Sequence, residues 1–122
     1  MQNTPFRLVV ALTNTYTTNI LNPPTTTGGV GTGTPNPYLL VTHIRVLEKA
    51  GTGGTFRLYV GATGANAAGT ESFFPLNTAV ATAGYVEWFG RKKLKVADFL
   101  VGGASAATTL TIDIEGEWGL EF

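Results

Sequence analysis

The chain has 122 residues, which fit one domain (1–122) that can bury roughly two thirds of the surface it exposes when unfolded. Its eight basic and eight acidic side chains cancel, which excludes nucleic acid, or any other polyanion, drawn in by net charge. It has no cysteine, which excludes disulfides and thiolate metal sites, so packing alone must hold the core.

Charged residues make up 13% of the chain, against about 25% in an ordinary soluble domain. Twenty threonines and sixteen glycines take their place. So few charges protect a free monomer poorly against association. Either neighbours in an assembly cover much of this surface, or it is a solvated, threonine-rich sheet.

In chain order, Phe6, Leu8, Val10 and Leu12 alternate with Arg7, Val9, Ala11 and Thr13, the period of a strand. The apolar run Leu8–Leu12 is too short for a membrane span or a signal-peptide core, so neither a membrane partner nor an export leader is expected. Thr15 to Leu21 continues in strand-favouring residues. Residues 22–37, dense in Pro, Gly and Thr, read as one long loop.

From Tyr38 to Lys49 the alternation returns, with Leu40, Thr42, Ile44 and Val46 on one face and His43, Arg45 and Leu47 on the other. The Gly51–Gly54 turn leads to a partner strand, Thr55 to Gly61, with Phe56, Leu58 and Val60 inward and Arg57 and Tyr59 outward; a hairpin is expected. Residues 62–70 are turn-like and Glu71 to Leu76 reads as a short strand. Tyr85 to Phe89 is a strand ended by Gly90, and Lys92 to Val96 is another. Phe99–Val101 is expected to pair with Thr108–Trp118 across a turn at Gly102–Ser105. Helical periodicity is missing throughout. The expectation is all-β: an antiparallel, jelly-roll-like sandwich of about eight strands.

Residues that carry chemistry are sparse. His43 is the sole histidine, with no second His or Cys to share a metal, and no metal or other cofactor is expected. Ser72 and Ser105 sit in no nucleophile motif, and their spacing from His43 suggests no triad. Asp113, Glu115 and Glu117 share one face of the last strand, as a carboxylate pair, a cation site or the solvent side of a strand would. Arg91, Lys93 and Lys95 share a basic face that suits the acidic one, across neighbouring strands or between subunits, or is simply solvated. The glycines at 28–34 lack the lysine and helix of a phosphate loop. Trp88, Trp118, Tyr59 and Tyr85 are the aromatics able to stack on sugars, but the parity of Trp88 with Val86, and of Trp118 with Ile112 and Ile114, points both tryptophans inward. No catalytic residue is assigned; the chain is expected not to be an enzyme.

The runs Ala11-Leu12-Thr13, Tyr16-Thr17 and Asn22-Pro23-Pro24, then Leu40 to Val46 and Thr55 to Val60, then Tyr85-Val86-Glu87-Trp88 and Ala97-Asp98-Phe99-Leu100, carry a resemblance. Their order is similar to that in small β-sandwich structural proteins of tailed bacteriophages. The likeness covers most of residues 8–116 and rests on scaffold motifs; the long 22–37 loop and the tail Trp118–Phe122 depart from it. It implies a virion protein without catalytic residues, decorating or cementing the capsid exterior and assembled in the host cytoplasm. Its implied partners are the major capsid protein and copies of itself, often as a homotrimer. A tail or fibre component, or a carbohydrate-binding module, is the alternative. Contacts are expected from Phe6 and Arg7, from Val30 and Tyr38 in and beside the loop, from Arg91, Lys93 and Lys95, and from Leu120 and Phe122 at the end.

Overall fold

Alternating apolar and β-branched residues become eight strands, with no helix among the described residues. The computed structural model describes residues 4–16, 18–21, 36–61, 73–95, 98–106 and 109–121. The strands are β1 (Thr4–Ala11), β2 (Thr18–Leu21), β3 (Asn36–Glu48), β4 (Gly54–Gly61), β5 (Thr78–Val80), β6 (Tyr85–Leu94), β7 (Phe99–Ala104) and β8 (Leu110–Glu121).

They form two four-stranded antiparallel sheets, ordered β1-β8-β3-β6 and β2-β7-β4-β5. The pairs β1–β8, β2–β7, β3–β6 and β4–β5 describe one long hairpin of the whole chain. Rolling that hairpin brings β8 against β3 and β7 against β4. This is the jelly-roll order, and it confirms the expected fold class.

The core lies between the sheets. Leu39, Val41, Ile44 and Val46 of β3 and Ile112 and Ile114 of β8 face Phe56 and Leu58 of β4 and Leu100 of β7, all at most 1% exposed. Each such side chain contributes about 1.5–3 kcal/mol by leaving water.

Both expected hairpins are corrected. β3 pairs with β6 and β8, whereas β4 pairs with β5 and β7, so the short turn between β3 and β4 carries the chain from one sheet to the other. Likewise β7 and β8 lie in different sheets, and Gly102, Gly103 and Ala104 belong to β7 rather than to a turn. Alternation marks which side of a strand is buried; it does not say which strand shares its ladder. In the β3–β4 turn, Gly51 and Gly53 adopt φ of 79° and 72°, which side-chain-bearing residues rarely do. The carboxylate of Glu48, which is 7% exposed, accepts the N–H groups of Ala50 (3.1 Å) and Gly51 (2.7 Å) and so fixes that turn.

Four smaller corrections follow from packing. A bulge at Thr42, between Val41 and His43, reverses the parity of β3, so that Leu39 and Val41 face the core with Ile44 and Val46, while Leu40 and Thr42 do not. Gly90 does not end its strand: β6 runs through it to Leu94, absorbing the strand expected from Lys92. A Cβ there would lie 2.7 Å from the Trp88 ring, so glycine leaves room for the indole. Residues 73–77 bend and turn, so 73–76 do not form the strand expected at 71–76, whose first two residues lie outside the described residues; pairing comes at Thr78–Val80. Only Thr18–Leu21 of the expected 15–21 strand is extended pairing, because Thr13–Tyr16 crosses the outer side of the second sheet, over Gly103 and Arg57, with Thr13 O accepting Ala104 N–H at 2.7 Å. Residues 22–35 of the expected loop lie outside the described residues, and Asn36 and Pro37 open β3.

Candidate functional site on the outer face of the first sheet

Chemistry-bearing side chains gather on the solvent side of the β1-β8-β3-β6 sheet. Strand register arranges them in rows: Val9, Asp113, Arg45 and Glu87; then Arg7, Glu115, His43 and Phe89; then Pro5, Glu117, Leu40 and Lys93. The bulge at Thr42 makes these rows possible, because without it His43 and Arg45 would fall on the core side of β3. Thr42 itself donates its hydroxyl to the Glu115 carbonyl at 3.3 Å.

Glu87 is the centre of the arrangement. Its Oε2 lies 3.0 Å from His43 Nε2 and its Oε1 lies 3.4 Å from Arg45 Nε. An ionised carboxylate can only accept, so the imidazole donates from Nε2. The other ring nitrogen, Nδ1, stands 3.9 Å from Glu115 Oε1. On the far side Arg7 Nε is 3.6 Å from Asp113 Oδ1. Carboxylates from β6 and β8 thus alternate with cations from β1 and β3.

Two aromatic rings rise beside the charges on β6. Phe89 stacks on His43 with centroids 4.5 Å apart and planes inclined by 19°, and it is 72% exposed. Tyr85 takes the Arg45 guanidinium over its ring at 5.3 Å and is 60% exposed. Each ring has one side backed by a polar neighbour and remains largely open to solvent. An open depression of about 470 Å³, lined by Pro5, Phe6, Arg7, Thr42, Glu115 and Gly116, adjoins the bulge.

The residues singled out in the sequence distribute as follows. Arg7, Arg91, Lys93 and Lys95 are exposed, and Lys93 Nζ lies 5.0 Å from the centre of the half-buried Tyr38 ring. Phe6 turns inward, edge-on to Trp118 at 5.9 Å. Val30 and Phe122, and the side chain of Leu120, lie outside the described residues. The basic and acidic faces do not meet across neighbouring strands, because β3 separates β6 from β8 and Leu40 stands between Lys93 and Glu117.

Trp88 and Trp118 pack against the core, as their parity indicates. Tyr59 points away from the core yet is only 1% exposed, so neither it nor the tryptophans form an open platform. Ser105 follows β7 in the opposite sheet and accepts Thr55 N–H at 3.2 Å, away from His43; Ser72 lies outside the described residues. Among the described residues no cluster of His, Asp and Glu is arranged to hold a metal ion. Sequence reasoning missed Glu87 and Phe89 as site residues. Their parity with Tyr85 was visible, but their proximity to His43 follows from β3–β6 pairing, which no local pattern encodes. No protein-family model matches the chain, and no curated protein does.

Proposed function

We propose that this chain is a structural protein of a bacteriophage particle, a decoration or cement protein that holds the capsid exterior through its sheet surfaces and edges. The observation that carries this reading is the pair of exposed aromatics, Phe89 and Tyr85, on a face where Arg7 lies beside Asp113 and Arg45 beside Glu87. The two rings offer exposed aromatic area on this face, and aromatic anchors dominate the energetics of protein interfaces. The low charge content supports the same reading, since a surface covered by neighbours needs little charge to stay dispersed. In this reading the face is a binding surface, with His43 held between the Glu87 and Glu115 carboxylates and stacked on Phe89. The partners are the major capsid protein and further copies of this chain.

Particles assembled without the chain, mixed with purified protein and sedimented, test the proposal. Wild-type protein is expected to co-sediment, and Phe89→Ala to weaken binding at least tenfold, about 1.4 kcal/mol, with unchanged folding. Wild-type protein left in the supernatant would overturn it. A second reading, a carbohydrate-binding module, is favoured by the open sides of the same two rings flanking the Glu87 carboxylate. Glycan-array signals abolished by Phe89→Ala, with no particle binding, would establish that instead.

A further inference from the structure

Among the described residues the two sheets present four edge strands, and three of them are blunted. β5 has three residues, β2 has four and a register shift between Asn19 and Leu21, and β6 carries Arg91, Lys92 and Lys93. β1 is different. It is paired with β8 along all eight residues without a bulge, bears one charge, Arg7, and exposes Val9 (51%) and Val10 (40%).

Hydrogen-bond parity shows what this edge offers. Leu12 N–H donates to its register partner, the Leu110 carbonyl, at 2.9 Å, so even-numbered residues of β1 bond to β8. The N–H and C=O groups of Arg7, Val9 and Ala11 therefore point outward, with Pro5 adding a carbonyl but no N–H.

We propose that β1 docks a second copy of this chain, β1 against β1 in antiparallel register about a two-fold axis at Val9, so that two four-stranded sheets become one. Outward groups are on odd residues, so odd residues must pair with odd. Centring the axis on Arg7 would set two guanidinium groups face to face, which is unfavourable. Centring it on Leu8 would place Pro5 in the ladder and leave a carbonyl of Ala11 without a donor. Centring it on Val9 sets Val9 against Val9, Arg7 against Ala11 and Leu8 against Val10. Every outward N–H of the three residues then meets a carbonyl, both exposed valines are covered, and Pro5 falls outside. An isologous pair of this kind is a dimer, not the trimer that the phage resemblance implies, and it does not depend on the particle reading.

Sedimentation velocity of the full chain over a range of concentrations tests it. Wild-type protein is expected to shift from monomer to dimer, Val9→Lys to weaken the dimer at least tenfold, and Leu76→Lys, at a residue 52% exposed on another part of the surface, to leave it unchanged. Far-UV circular dichroism and the denaturation midpoint verify that Val9→Lys folds. The chain has no cysteine, so single thiols report register: Val9→Cys is expected to cross-link on mild oxidation much faster than Arg7→Cys. A wild-type monomer throughout, a dimer untouched by Val9→Lys, or faster cross-linking at Arg7→Cys each overturns the proposal. Failure of particle binding with an intact dimer would count against the capsid reading alone.

Discussion

Replacing Glu48 with alanine is expected to destabilise the fold without touching the outer face. The carboxylate is buried at the end of β3 and accepts two backbone N–H groups of the following turn. Hydrogen bonds to a charged acceptor contribute about 1.5–3 kcal/mol each when the donors are otherwise stranded. Ala50 and Gly51 are exposed, so water takes over part of the acceptor role, and the combined loss comes to about 2 kcal/mol. For a chain of this size that lowers Tm by about 6–10 °C. Glu48→Gln keeps one acceptor oxygen and is expected to lose about half as much. Urea denaturation followed by circular dichroism reads both variants, with the slope unchanged. A Glu48→Ala midpoint equal to that of the wild type would refute the assignment of this carboxylate to the turn.

Two further perturbations probe the packing. Ile114→Ala, at a fully buried position between Leu8 and Ile44 in the register, is expected to cost about 2–5 kcal/mol in the same urea experiment. Gly90→Val is expected to cost about 1–3 kcal/mol and to change Trp fluorescence, because its Cβ displaces the Trp88 ring from its edge-on contact with Phe73.

The candidate site was half legible. Asp113, Glu115 and Glu117 on one face, and His43 and Arg45 on one face, follow from two-residue alternation within single strands. That the two groups interleave, and that Glu87 closes on His43 and Arg45, depends on β8 and β6 lying either side of β3. Turn-based pairing pointed elsewhere. It joined β3 to β4 and β7 to β8, whereas the rolled hairpin sends each of those neighbours to opposite sheets.

Alternation, turn-forming glycines and the lack of any helical period by themselves determined an all-β sandwich of about eight strands, since side-chain parity and backbone preference act over a few residues. Composition likewise determined that packing, not disulfides, holds it together. Tertiary structure alone decided strand order, the bulge at Thr42 that turns His43 outward, the continuation of β6 past Gly90, and the place of β1 at the end of the first sheet. These depend on which strands meet across the sheet, and hydrogen-bonded ladders between residues tens of positions apart leave no local imprint on the sequence.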